Sequence, residues 1–132
     1  LTDKQRKRVK SHFLFPAAMT FESAGKPFIA ATHAEAVLKL GPDMPEYAHS
    51  AWLAAACYAQ LTVATDYETV DGKKLPVLES RTKGWKERAF VLLKEAWELY
   101  KANPAVHQDI LEDKRLDPLH WDMRWSAITG QK

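Results

Sequence analysis

The sequence predicts an all-α fold, built as a single domain over residues 1–132, and three observations carry that prediction. Apolar residues recur every three or four positions in several long segments, the spacing of one buried helix face. Glycine and proline fall between those segments in stop-then-start order, as at Gly25 and Pro27 and at Gly41-Pro42. At the centre lies the run 51–59, Ala-Trp-Leu-Ala-Ala-Ala-Cys-Tyr-Ala, with no charge on any side. Such a run belongs to a helix surrounded by other elements, and it is too short to cross a bilayer. Its alanines leave room for neighbouring backbones to come close.

Taken in order, Thr2-Asp3-Lys4-Gln5 reads as a capping box that opens a basic helix through Lys10. Phe13, Leu14 and Phe15 follow, and Pro16 either kinks that helix or begins another one. Ala17, Ala18, Phe21 and Ala24 sit at helical spacing up to Gly25. The next helix runs from Pro27 to about Leu40, with Ala30, Ala34, Val37 and Leu38 on one face. Joined by so short a link, these two helices must lie antiparallel. Asp43 and Glu46, with Pro45 between them, read as a second capping box, which starts the central helix near Met44 and carries it to about Leu61.

Helical periodicity then breaks over 66–84. Asp71-Gly72, between Thr69-Val70 and Lys74-Leu75, fits a tight hairpin turn, and Pro76 would restrict such a strand to an edge. A polar surface insertion fits the same stretch equally well. From 85 to 101, Trp85, Ala89, Leu92, Leu93, Ala96 and Tyr100 form one stripe, with Lys86, Glu87, Lys94, Glu95, Glu98 and Lys101 outside it. Asn103-Pro104 caps a short helix to about Glu112. Asp117-Pro118 and Asp122 are two further cap positions, and Gly130 stops the last helix, which bears Trp125 and Ile128.

Composition bounds function only broadly. A net charge of +2 gives no global attraction to nucleic acid or to an acidic membrane. The single cysteine excludes an internal disulfide, and Cys57, inside the apolar run, is expected to be a small buried hydrophobe. There is no signal-peptide core and no transmembrane run, so a cytoplasmic location is expected. The start at Leu1 is expected to mark a piece of a longer polypeptide.

The first helix pair resembles a tetratricopeptide repeat. Phe21 takes the large aromatic position, Gly25 the turn, Ala30 the small contact position and Pro42 the closing position. Ala34 stands where an aromatic is usual, and Pro16 interrupts the first helix. The central helix and the 85–101 helix would form a second pair, with Ala89, Leu93 and Ala96 in small, large, small order. A sharper resemblance covers 17–128 and is to the tetratricopeptide-type region C-terminal to planctomycete-type bacterial serine/threonine kinases. Three pieces carry it. They are Ala56-Cys57 with Tyr58; Arg88-Ala89 with Leu92-Leu93-Lys94-Glu95-Ala96; and Asp113-Lys114-Arg115-Leu116-Asp117-Pro118-Leu119 with Trp125 six residues on. His120 departs from the arginine common in that family, and Tyr58 is one place out of register.

The resemblance implies two antiparallel helix pairs, an N-terminal helix and a C-terminal helical cap, acting as a noncatalytic protein–protein interaction module in bacterial signalling. The 132 residues hold no Gly-rich phosphate loop and no His-Arg-Asp motif, so phosphoryl transfer does not carry over. Because first helices line the concave face of such arrays, Phe15, Met19 and Glu22 are expected to face a protein or peptide partner, unless the basic N-terminal helix folds back and buries them. Trp125 matches the family's closing aromatic and is expected to lid the core; Trp121, beside His120 and Asp122, is the better candidate of the two for an exposed anchor.

Other chemistries find less support. No two histidines are spaced three or four apart, and His120-Trp121-Asp122 offers two ligands without a third, so no metal and no cofactor are expected. No Gly-x-Ser-x-Gly turn marks a nucleophile, and no enzymatic activity is expected. The alternative function is a small basic helical nucleic-acid binder using Lys4, Arg6, Lys7, Arg8 and Lys10. It is the weaker reading, because no aromatics alternate with those cations to stack on bases.

Overall fold

The computed structural model describes residues 1–63, 67–70, 73–76 and 79–131. The chain is all-α in class. Its helices are α1 (Asp3–Ser23), α2 (Pro27–Leu40), α3 (Tyr47–Leu61), α4 (Glu79–Leu99), α5 (Pro104–Glu112) and α6 (Met123–Thr129), with a 3-10 turn at Lys114–Leu119. Two short strands, β1 (Tyr67–Val70) and β2 (Lys73–Pro76), form an antiparallel hairpin that pairs Tyr67 with Pro76 and Val70 with Lys73. The hairpin reading of the 66–84 break therefore holds over its strands; the expected Asp71-Gly72 tip lies outside the described residues.

The helices pack in series, α1 on α2, α2 on α3 and α3 on α4, while the 3-10 turn closes on α3 and α6 on α4. Alpha3 is the hub. Ser50, Ala51, Leu53, Ala54, Ala55, Ala56, Cys57, Ala59 and Leu61 are all buried, so contact surrounds the helix on several sides. Ala18 and Ala30, Ala31 and Ala34 from the first pair, and Ala89, Leu92 and Leu93 from α4, join one core with it. A methyl group holds a neighbouring helix at the short end of the usual 8–10 Å separation and loses no rotamer entropy on burial. Larger side chains fill the gaps between the helices: Phe21, Leu38, Trp52, Tyr58, Trp97 and Tyr100 are partly buried against that core.

Several boundaries differ from the sequence expectation, each for a visible reason. Alpha1 is one helix that runs straight through Pro16. The lost backbone donor leaves the His12 carbonyl in an exposed turn, and burial of Ser11 and Ala18 on either side offsets a penalty of ~3 kcal/mol. Alpha3 begins at Tyr47, without the Asp43–Glu46 capping box. The Glu46 carboxylate instead accepts a 2.6 Å hydrogen bond from Ser11 Oγ, which ties the start of α3 to the middle of α1. Alpha4 starts six residues before Trp85 and includes the exposed Gly84, a helix-propensity cost of ~1 kcal/mol. Asp117-Pro118 lies within the 3-10 turn, and the cap there is Asp113, which accepts from the Arg115 N–H at 3.0 Å.

Other punctuation stands where the residues placed it. Thr2 and Gln5 form the reciprocal capping box. Pro27 opens α2, Asn103 caps α5, Asp122 caps α6, and Gly130 adopts φ 74° at its end. The alanine contact is open to test. Ala89 is fully buried between α4 and α3, so Ala89→Leu should overpack that contact and cost about 1–3 kcal/mol. Urea denaturation with an unchanged midpoint would show that the helices do not touch there.

Candidate functional site

Three polar clusters lock the helices to one another, and their geometry determines which side chains remain available. In the first, Glu35 of α2 accepts from Tyr58 Oη of α3 at 2.5 Å and from Arg88 Nε of α4 at 3.1 Å, with a further Arg88 Nη2 contact. Burial alone would raise the Glu35 pKa, but the hydrogen bonds from Arg88 and Tyr58 outweigh it and hold the carboxyl below its ordinary range. Burial and the same carboxylate push the Tyr58 phenol well up, so it stays a donor.

The second cluster joins α1, α3 and the 3-10 turn. Arg115 grips Asp113 through Nε at 2.9 Å and Nη2 at 2.8 Å, and reaches Glu22 through Nη1 at 3.1 Å. Trp52 Nε1 donates to Asp113 Oδ2, the oxygen that Arg115 Nη2 also holds, at 2.9 Å. The third joins α4 to α6: Asp122 accepts from Arg124 at 2.9 Å and faces Lys86 Nζ at 3.5 Å, while Arg124 also meets Glu87 at 3.2 Å and stacks its guanidinium 4.3 Å from the Phe90 ring centre.

Against this frame the expected partner-binding residues separate. Glu22 is held by Arg115, and Phe15 is half-buried with its ring 4.8 Å from that of His49. His49 in turn lies 5.3 Å from Trp52, and burial together with the Arg115 charge lowers its pKa. Met19 remains exposed, at 44%. Trp121 is 96% exposed, whereas Trp125 is 5% exposed and packed in the core as the lid.

The two tryptophans frame a cleft of about 330 Å³ lined by Leu111, His120, Trp121, Trp125 and Gln131. Local structure explains its shape. The 3-10 turn ends at His120, and α6 cannot start until Asp122 caps it, so Trp121 falls on the single residue between them. Four residues further on, the first turn of α6 swings Trp125 inward against the His120 ring, 4.1 Å centre to centre. His120 Nδ1 faces Asp117 at 3.7 Å, and its Nε2 is shielded from solvent without a hydrogen-bonding partner among the described residues. Met123, 88% exposed, lies just beyond the cleft in sequence. Sequence reading singled out both tryptophans, but not Leu111 or Gln131, which only folding brings to them.

Among the described residues no group of three or more His, Cys, Asp or Glu side chains could hold a metal ion. Cys57 is buried, and burial pushes its thiol up to about 12. Among the described residues no helix is long and apolar enough to cross a membrane. Comparison of the chain with protein-family models, with curated proteins and with solved structures finds no match.

The Asp113 cluster sets a pH dependence. Burial opposes ionisation of Asp113, but the Arg115 and Trp52 hydrogen bonds prevail and its folded-state pKa is depressed. A depressed carboxylate contributes stability that is present above the unfolded value, about 3.9, and is lost as pH falls through the folded value. Wild-type stability should therefore drop below about pH 4 more steeply than that of Asp113→Asn. Parallel acid-unfolding curves would show that this carboxylate contributes nothing to that slope.

Proposed function

We propose that this chain is a noncatalytic protein–protein interaction module of the tetratricopeptide-like kind, with α1–α2 and α3–α4 as its two repeats. The observation that carries the reading is Trp121. A tryptophan left 96% exposed beside a cleft of mixed polar and apolar lining, on a cap otherwise tied down by ion pairs, is a presented anchor. The serial packing of four helices through alanines supports the repeat assignment, since each pair buries one face against the next. A role in bacterial signalling is what the resemblance of residues 17–128 to the region following planctomycete-type kinase domains implies. The partner is a protein or peptide whose apolar side chain enters the cleft beside Trp121, with Met19 as a second contact on α1.

Phe15 and Glu22 take a different role in this reading. The ring contact of Phe15 with His49 ties α1 to α3 and the ion pair of Glu22 with Arg115 ties α1 to the 3-10 turn, with Met19 the exposed residue of the expected inner face. The reading is tested by affinity capture from cells of the source organism. Trp121→Ala and Met19→Lys should keep the wild-type melting temperature, because surface changes of this kind cost within about 0.5 kcal/mol. Trp121→Ala should abolish capture of a stoichiometric partner, and Met19→Lys should weaken it. Capture unaffected by both substitutions, in folded protein, would refute the assignment.

A further inference from the structure

The first ten residues present a second surface, independent of the cap. Alpha1 has 21 residues and α2 only 14, and every residue from 1 to 10 is exposed; the first buried position is Ser11. About two turns of α1 therefore project past the helix that α1 packs on. The projection carries Lys4, Arg6, Lys7, Arg8 and Lys10. Arg6 meets Asp3 at 3.4 Å; the other four cations have no ion-pair or hydrogen-bond partner among the described residues. At the base of the projection Phe13 is 71% exposed, with the exposed His12 ring edge-on to it at 6.2 Å.

The distribution of the charge identifies the partner. At 3.6 residues per turn, the five cations spread over about 200° of the helix circumference. A partner helix covers a stripe of roughly 100°, and a lipid surface meets one side only. A nucleic-acid groove receives an inserted helix with phosphates on both flanks, and the major groove of a DNA duplex is about 12 Å wide. We propose that the projecting end of α1 is a sequence-independent nucleic-acid contact, in which Lys4, Lys7, Arg8 and Lys10 neutralise backbone phosphates and Phe13 packs at the edge of the groove or on an unpaired base.

The probes are a fluorescent 20-base-pair DNA duplex and a 20-nucleotide single strand, read by anisotropy between 50 and 200 mM NaCl. If four phosphates are neutralised, affinity should fall by roughly 50- to 150-fold across that range, less steeply for the single strand. The variant K4Q/K7Q/R8Q/K10Q alters only exposed, unpartnered side chains, so it should fold as wild type and lose at least about tenfold in affinity at 50 mM salt. K26Q/K39Q/K94Q/K101Q removes the same charge from exposed lysines elsewhere and should bind within about twofold of wild type. Phe13→Ala should weaken binding to both probes, and affinity unchanged for both would overturn the contact assigned to Phe13. The proposal is overturned by absence of binding to both probes at 50 mM salt, or by equal loss in the two charge variants. Tighter binding to phosphatidylserine vesicles or to polyglutamate than to either oligonucleotide would overturn it as well.

Discussion

The fold depends on how closely helices can approach α3. Its Ala51, Ala54, Ala55, Ala56 and Ala59 are all buried, so neighbours on more than one side rest near its backbone. A helix built on leucines would bury more apolar area per residue, but its side chains would hold α2 and α4 further out and would have to interlock on every side at once. Alanine gives up contact area in return for tolerance of crowding, and the area is recovered where Phe21, Leu38, Trp52 and Tyr58 wedge into the gaps between helices. The serial order of the helices follows, because a hub that can be surrounded has no single preferred neighbour.

Alanine contacts leave orientation weakly specified, and the polar clusters at the rim supply it. Each joins elements distant in sequence: Glu35 to Arg88, Glu22 to Arg115, Lys86 to Asp122. Their side chains are partly exposed, so their net contribution to stability is modest. Their geometry is exacting all the same, since Arg115 satisfies two carboxylates in one fork and Tyr58 and Arg88 share one carboxylate. A shift of one helix by a turn would break several such bonds at once and strand charges against the core. The tie from Arg115 to Glu22 also closes the C-terminal segment onto α1.

Legibility from sequence varied with the range of the interaction. Thr2-Gln5, Pro27, Asn103, Asp122 and Gly130 act on backbone groups within a few residues, so their types and spacing suffice to place helix ends. The burial of Cys57 and of the Ala89–Leu93 stripe was equally readable, since periodicity reports a local face. Within the candidate site, the polar neighbours His120 and Asp122 made Trp121 the better candidate for exposure, and it is exposed while Trp125 is buried. Leu111 and Gln131 could not be read, because nothing in their local sequence records that α5 and the chain beyond α6 converge on the same cleft.

What the residues determined by themselves is therefore the all-α class, the extent of α2, α5 and α6, and the identity of the buried faces, because each follows from hydrogen bonds and apolar spacing along one stretch of chain. Tertiary structure decided where local signals had a competitor. Glu46 had a choice between capping its own helix and accepting from Ser11, and packing of α1 on α3 brought the serine within 2.6 Å. Pro16 and Gly84 both read as breaks, yet each lies inside a helix: Ser11 and Ala18 are buried on either side of Pro16, and the buried face of α4 begins at Ala89, past Gly84. Asp113 became the cap in place of Asp117 because Trp52 and Arg115 converge on it from another helix and from its own turn. A competition of that kind is settled by free-energy differences of a few kcal/mol between partners far apart in sequence, and only the folded chain brings those partners together.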